Sequence, residues 1–321
     1  MKEKLSIVVP CYNEEKMVPI FFKELTEYLS LLTEYDCEII FINDGSKDNT
    51  WKEITLISDT DKRVRGFSFS RNFGKEAAML AGLNQAQGDY VVVMDCDLQH
   101  PPKLLHEMLR LIKEEGYDAV GAYRLGRGKD KSESFFRVMY SKMFYLFINK
   151  MSIIKIKENA TDFRMMKRKV VNSILQLQEY NRFSKGLFEW VGFKTTYIGY
   201  ENVNRVAGRS SWNFFKLLNY ATEGITSFST VPLKLSSYLG VFCALFSFLY
   251  LVYIILDRII NGTEVSGWAT IVSLILFIGG ITLISLGLLG EYIGRIYNEV
   301  KKRPIYIIDE TTNNIEGDNN E

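Results

Sequence analysis

Apolar and polar positions along the first two hundred residues fall into blocks that predict alternating strands and helices. Leu5–Cys11 (LSIVVPC) is an almost unbroken apolar run, as strands covered on both faces tend to be. Residues 15–32 carry helical periodicity, and Glu38–Asn43 (EIIFIN) is the next predicted strand, closing on Asp44-Gly45-Ser46. The pattern then predicts a helix over 51–58, a strand over 64–70, a helix over 75–86 and a strand over 90–94. Pro101-Pro102 opens a predicted helix over 103–115, and a strand over 118–123 follows. Repeated βα units of this length predict an α/β domain, a parallel sheet with helices on both faces.

Beyond Arg124 the alternation lapses. Residues 132–150 read as a helix with a broad apolar face (Phe135, Phe136, Met139, Tyr140, Met143, Phe144, Phe147), suited to core packing or to a membrane surface. The aromatic-rich stretch 212–228 reads as an amphipathic helix lying in the interface. Near Pro232 the composition changes. Residues 235–256 and 265–290 give about 22 and about 26 positions without a charge, each beyond the roughly 20 that cross a hydrocarbon core.

The expected organisation is therefore an α/β domain over 1–209, a juxtamembrane helix over 210–231, two spanning helices within 232–296, and a tail over 297–321. The connector 257–264 holds one basic residue, Arg258, whereas Lys216, Lys234, Arg295, Lys301, Lys302 and Arg303 flank the pair. The positive-inside rule then predicts a multi-pass protein of the cell membrane with its α/β domain and both termini cytoplasmic. The end of the tail, polar and acidic from Thr311, is expected to be disordered.

Charge and cysteine content narrow the function. With 39 basic and 38 acidic residues the net charge is +1, which argues against a nucleic-acid binder held by bulk electrostatics. Cys11, Cys37, Cys96 and Cys243 are scattered without metal-ligand spacing, and a disulfide framework is not expected. Met1–Lys4 runs straight into a strand pattern, so no signal peptide is read there.

Candidate chemistry collects after strands, where parallel sheets bind ligands. Pro10-Cys11-Tyr12-Asn13-Glu14 follows the first strand, Asp44 the second, and Asp95-Cys96-Asp97 with Gln99 the fourth. Two carboxylates two residues apart at the end of Val91-Val92-Val93-Met94 can both address one hard divalent cation, which takes oxygen ligands and bridges to phosphates. Asn43-Asp44-Gly45-Ser46 can turn tightly while its acid meets a ribose or a base edge, although Asp-Gly also forms ordinary turns.

These motifs together resemble a known family. IVVPCYNEE (7–15), INDGSKDNT (42–50), RNFGKEAA (71–78), MDCDLQHPP (94–102), TDFRMM (161–166) and Arg205-x-x-Gly208-x-Ser210-x-Trp212 are similar to glycosyltransferase family 2. Within it they resemble the dolichyl-phosphate mannosyltransferase and bactoprenol glucosyltransferase group, from Leu5 to about Ile307. The resemblance implies a GT-A (Rossmann-like) catalytic domain followed by a two-helix transmembrane anchor. It implies that Pro10, Tyr12, Glu14, Asp44 and Asp95 hold the nucleotide, and that Asp97, Gln99 and Asp95 hold Mg2+ or Mn2+. Arg124, Arg137, Ser141 and Arg205 match positions that bind acceptor and donor phosphates, and Asp162 matches the carboxylate that serves the family as catalytic base. Arg137 and Ser141, four apart, would share one helix face. Where relatives often carry Lys before the aromatic of the last motif, this chain has Ser211.

The implied reaction is inverting transfer of a sugar, glucose or N-acetylglucosamine, from a UDP-sugar to a polyprenyl (undecaprenyl) phosphate. Mannosyl or aminoarabinosyl transfer and a non-catalytic scaffold of the same fold are the alternatives. A processive synthase would need a Gln-x-x-Arg-Trp motif, which the sequence lacks. The expected partners are the donor, the lipid phosphate, the membrane and a second copy of the chain, with no nucleic acid.

Overall fold

A computed structural model describes residues 2–125, 157, 159–201, 229–261 and 267–312. These residues make two compact units, one of 2–201 with 304–312 and one of 229–303. In the first, β1 (Glu3–Cys11), β2 (Tyr35–Asn43), β3 (Val64–Phe69) and β4 (Tyr90–Val93) are parallel, in the order β4-β1-β2-β3.

Their apolar runs reflect burial on both faces. Leu5, Ile7 and Val9 join a core layer with α1 (Met17–Leu29), α2 (Thr50–Thr60) and α4 (Leu104–Lys113). Val8, Ile40 and Ile42 join a second layer with α3 (Lys75–Gln85) and α5 (Arg168–Leu175). A Cβ on Gly82 would lie 2.1 Å from Val8 Cγ1, so α3 presses on β1 where only glycine fits. Glycine costs a helix interior about 1 kcal/mol relative to alanine, and here that cost secures the seat of α3.

The sheet is mixed, not wholly parallel as the βα pattern predicts. β6 (Ala160–Lys167) enters between β4 and β5 (Ala119–Leu125), antiparallel to both. β7 (Thr195–Glu201) runs parallel to β5, and the full order is β7-β5-β6-β4-β1-β2-β3-β8. Hydropathy records that both faces of β6 are covered, Phe163 and Met165 on one side and Met166 on the other, but not the direction of the strand.

β8 (Ile308–Thr311) is the other departure, a short strand inside the stretch expected to be a tail. It pairs antiparallel with β3 and covers that edge. Gly66 N–H donates to Thr312 Oγ1 (3.0 Å), Trp51 Nε1 donates to Glu310 Oε2 (2.8 Å), and Tyr306 stacks on Phe69 at 5.2 Å.

The second unit holds α7 (Val231–Asn261) and α8 (Trp268–Val300). Within them Val231–Asp257 and Ile271–Val300 each reach a mean hydropathy of 2.5 with their apolar side chains exposed. Each is long and apolar enough to cross a membrane. Both helices run beyond the predicted uncharged spans, because Lys234, Glu291 and Arg295 extend them without breaking them. Tyr292 of α8 donates its hydroxyl to Ser229 O just before α7, at 2.7 Å.

Candidate active site

The carboxyl ends of β1, β2 and β4 share one edge of the sheet, and the loops that leave them interlock. Asp44 N–H donates to Cys11 O (2.9 Å), and Asn13 N–H donates to Ser46 Oγ (3.0 Å). Lys47 N–H donates to Asn13 Oδ1 (2.9 Å), and Glu14 N–H to Thr50 Oγ1 (2.8 Å). Asn13 holds a left-handed φ of 55°, which Asn tolerates better than most residues. Pro10, Tyr12, Glu14 and Asp44 are thus brought together, and Tyr12 is 44% exposed, an open ring suited to a flat ligand.

Asp44 has more work than the sequence suggests. Its buried carboxylate accepts from Phe73 N–H (2.7 Å), from Gly74 N–H (3.0 Å) and from Asn72 Nδ2 (2.9 Å). Burial pushes its pKa up despite the bonds from Phe73 and Gly74. Gly45, at φ +61°, lies so close to Arg71 that a Cβ would sit 2.3 Å from its carbonyl carbon. The loop after β2 therefore clamps the loop 71–74 that starts α3.

The antiparallel entry of β6 completes the edge. Val93 pairs with Arg164 in antiparallel register, so Asp95, two residues beyond Val93, and Asp162, two residues before Arg164, come out at the same end of the two strands. Between them lies the ammonium of Lys75, 2.7 Å from Asp95 Oδ1 and 2.7 Å from Asp162 Oδ2. Desolvation by the protein packed around it works against the ammonium, although the Lys75 side chain stays open on one side, and the charges of Asp162 and Asp95 override this and hold the ammonium above the usual lysine range. Burial would likewise raise Asp162, but Lys75 and Lys185 hold it well below the carboxylate range, and Asp95 is lowered in the same way.

A histidine braces the acidic turn. His100 is 1% exposed, stacks on Phe163 at 5.1 Å, and its Nδ1 accepts Asp95 N–H at 3.2 Å. An accepting Nδ1 is unprotonated, which agrees with the downward shift that burial gives this ring. Leu98 takes a left-handed φ of 56°, and Gln99 N–H donates to Asp97 Oδ1 at 3.1 Å, so the chain from Asp95 to Gln99 curls on itself.

Arg124, on β5, reaches the same turn, donating from Nη2 to Gln99 Oε1 (2.6 Å) and from Nε to Tyr200 OH (3.4 Å). Arg137, Ser141 and Arg205, and the 208–212 motif with Ser211, lie outside the described residues.

Among the described residues no three His, Cys, Asp or Glu side chains cluster tightly enough to hold a metal by themselves. Asp95, Asp97 and the amide oxygen of Gln99 on one short curl are hard oxygen donors. That set suits Mg2+ or Mn2+, which bind through one or two carboxylates and complete their shell with phosphate oxygens and water.

Lys75, His100 and Glu76 are site residues that the sequence reading passes over. Glu76, next to Lys75, accepts from Ser184 N–H (3.0 Å) and from the Ser184 hydroxyl. Burial, with Asp162 beside it, pushes Glu76 up to about 7. One signal was present: RNFGKEAA puts a lysine at the start of a helix, where the helix field opposes a cation.

The model described as "Glycosyl transferase family 2" matches residues 6–175, and that of the "GtrB C-terminal hairpin" matches residues 231–296. The chain is 48% identical to a putative glycosyltransferase, CsbB, of Bacillus subtilis, over 97% of this chain and 93% of that one. It is 47% identical to a bactoprenol glucosyl transferase of Shigella phage SfII, over 95% of this chain and 97% of that one. A mannosyltransferase of Pyrobaculum calidifontis, solved with GDP-Man and Mn2+, superimposes with a TM-score of 0.46 at 17% identity, over 65% of this chain and 59% of that one.

Proposed function

The chain belongs to glycosyl transferase family 2, and from that premise we propose that it transfers glucose, or N-acetylglucosamine, from a UDP-sugar to undecaprenyl phosphate. The lipid-linked sugar so formed serves cell-envelope glycosylation. The observation that carries this reading is the meeting of Asp95 and Asp162 on one sheet edge, in a chain that also holds two membrane-length apolar helices. The bactoprenol glucosyl transferases among its relatives support the acceptor. The catalytic unit and both termini face the cytoplasm, as the basic residues flanking the two helices favour.

Tyr12, Pro10 and Glu14 line the nucleoside side, and Asp44 holds the loops around it. Asp95, Asp97 and Gln99 would hold Mg2+ or Mn2+, which when bound would offset the negative charge gathering on the leaving nucleoside diphosphate. Because Gln99 Oε1 accepts from Arg124, that donor also ties the metal side to an arginine on the acceptor side.

An acceptor phosphate oxygen attacks the anomeric carbon from the face opposite the diphosphate. The new C–O bond forms as the old one breaks, and the product is inverted. A phosphomonoester is mostly dianionic at neutral pH, its second pKa being about 6. The acceptor therefore needs little help in losing a proton, and Asp162, bonded to Lys75, serves to position the sugar or the acceptor. Arg124, with Arg137, Ser141 and Arg205, draws the charged head group in, and guanidinium forks suit phosphate oxygens.

The test is nucleotide-sugar turnover by purified protein in detergent, with Mg2+ or Mn2+ against a chelator. Metal-dependent consumption of one UDP-sugar supports the enzyme. A folded protein that leaves every donor intact would point to a scaffold.

A further inference from the structure

We infer that Lys75 makes this site selective for an anionic acceptor: its fixed ammonium offsets Asp162, so that a negatively charged oxygen can come up beside that carboxylate. The inference rests on the transferase reading above and names a residue which that reading leaves without a role.

The placement of Lys75 is the first observation. It is the first residue of α3, where the positive end of the helix dipole disfavours a cation. Something must repay that position, and it is the pair of carboxylates at 2.7 Å on either side. Neither partner is local in sequence. Asp95 comes from the turn after β4 and Asp162 from the start of the antiparallel β6, so the ammonium stands where donor-side and acceptor-side groups meet.

The second observation is that this bridge is open. The side chains of Lys75, Asp95 and Asp162 retain 42%, 27% and 19% exposure. The Lys75 ammonium is thus far more accessible than the core guanidinium of Arg164, whose side chain is 2% exposed.

The third is that the start of α3 is held from several directions. Asp44 fixes the two N–H groups before Lys75, Glu76 binds Ser184 on the α6 helix (Ser184–Trp190), and Gly82 seats α3 against β1. Such fixing places a charge accurately, which is what electrostatic preorganisation requires.

The charge balance shows why one is needed. Asp95 and Asp162 both bond Lys75, and Asp97 lies on the same turn as Asp95; the other described cations acting here are Arg124, bonded to Gln99 of that turn, and Lys185, whose charge also lowers Asp162. A lipid phosphate must approach these acids in the presence of a diphosphate. Water as acceptor carries no charge and makes no such demand.

That contrast supplies the experiment. Transfer to undecaprenyl phosphate and metal-dependent hydrolysis of the same UDP-sugar are measured on the full-length protein in detergent. Lys75→Met is expected to lower transfer about 100-fold, with a raised KM for the lipid, and to lower hydrolysis, through the lost contact to Asp95, at least about tenfold less than transfer. Lys75→Arg, which keeps the charge, is expected to fold and to recover a large part of transfer. Parallel loss of both reactions in Lys75→Met, or no recovery in Lys75→Arg, would overturn the inference. A wild-type protein that hydrolyses the donor but glycosylates no lipid phosphate would instead remove the reading beneath it, and the inference with it.

Discussion

The carboxylate of Asp44 accepts the backbone N–H of Gly74 at 3.0 Å, joining the loop after β2 to the residue that precedes α3. Phe73 N–H and the Asn72 amide complete the same grip. Asp44→Ala would leave backbone donors unpaired at a buried spot, at about 1–3 kcal/mol for each such group. The variant is expected to melt several degrees lower and to bind UDP at least about tenfold more weakly. Thermal unfolding and calorimetric titration check both, and unchanged nucleotide affinity would mean that the loop acts on stability alone.

Removal of metal is expected to stop turnover, and added Mn2+ or Mg2+ to restore it. Asp97→Asn keeps the shape of the turn but removes one charge, and should cut turnover about 100-fold or more. The check is the rate across a metal titration. A chelator-resistant rate would leave Asp95 and Asp97 with the nucleotide alone.

Glu76 gives a pH signature. Its folded value of about 7 lies above the ordinary 4.5, so the native state holds a proton that the unfolded chain releases. That contribution is complete below about pH 4.5 and is lost as pH rises through 7. The whole effect is at most about 3.4 kcal/mol. Glu76→Gln should therefore flatten the fall in melting temperature between pH 5 and about pH 7.5. An identical slope in variant and wild type would contradict the assignment.

The strand after α8 should matter to the catalytic unit. Thr312→Ala removes the acceptor of Gly66 N–H, a loss of about 1–2 kcal/mol. Truncation before Tyr306 should cost more and expose the edge of β3 to association. Melting curves and light scattering read the two effects, and an unaltered truncated protein would show that β8 is dispensable.

Much of this was legible in the sequence because burial writes itself into hydropathy. The strands over 5–11, 38–43, 64–70 and 90–94 fall within the observed ones to a few residues, as does the helix that starts at Lys75. Asp95, Asp97 and Asp44 could be found because an acid that ends an apolar strand is conspicuous. What hydropathy does not encode is direction and long-range pairing. The reversal of β6 that brings Asp162 out at the same end as Asp95 left no periodic trace, and neither did the docking of β8 on β3. Lys75 escaped because both of its partners are distant in sequence, and His100 because a buried ring that accepts one N–H has no local signature.

The most direct test is transfer of labelled sugar from a panel of nucleotide donors to undecaprenyl phosphate by the purified full-length protein, with metal and with chelator. The account predicts a lipid-linked hexose, formed only with metal and from a UDP-sugar, glucose ahead of N-acetylglucosamine. Folded protein that binds nucleotide yet forms no glycolipid from any donor would contradict it.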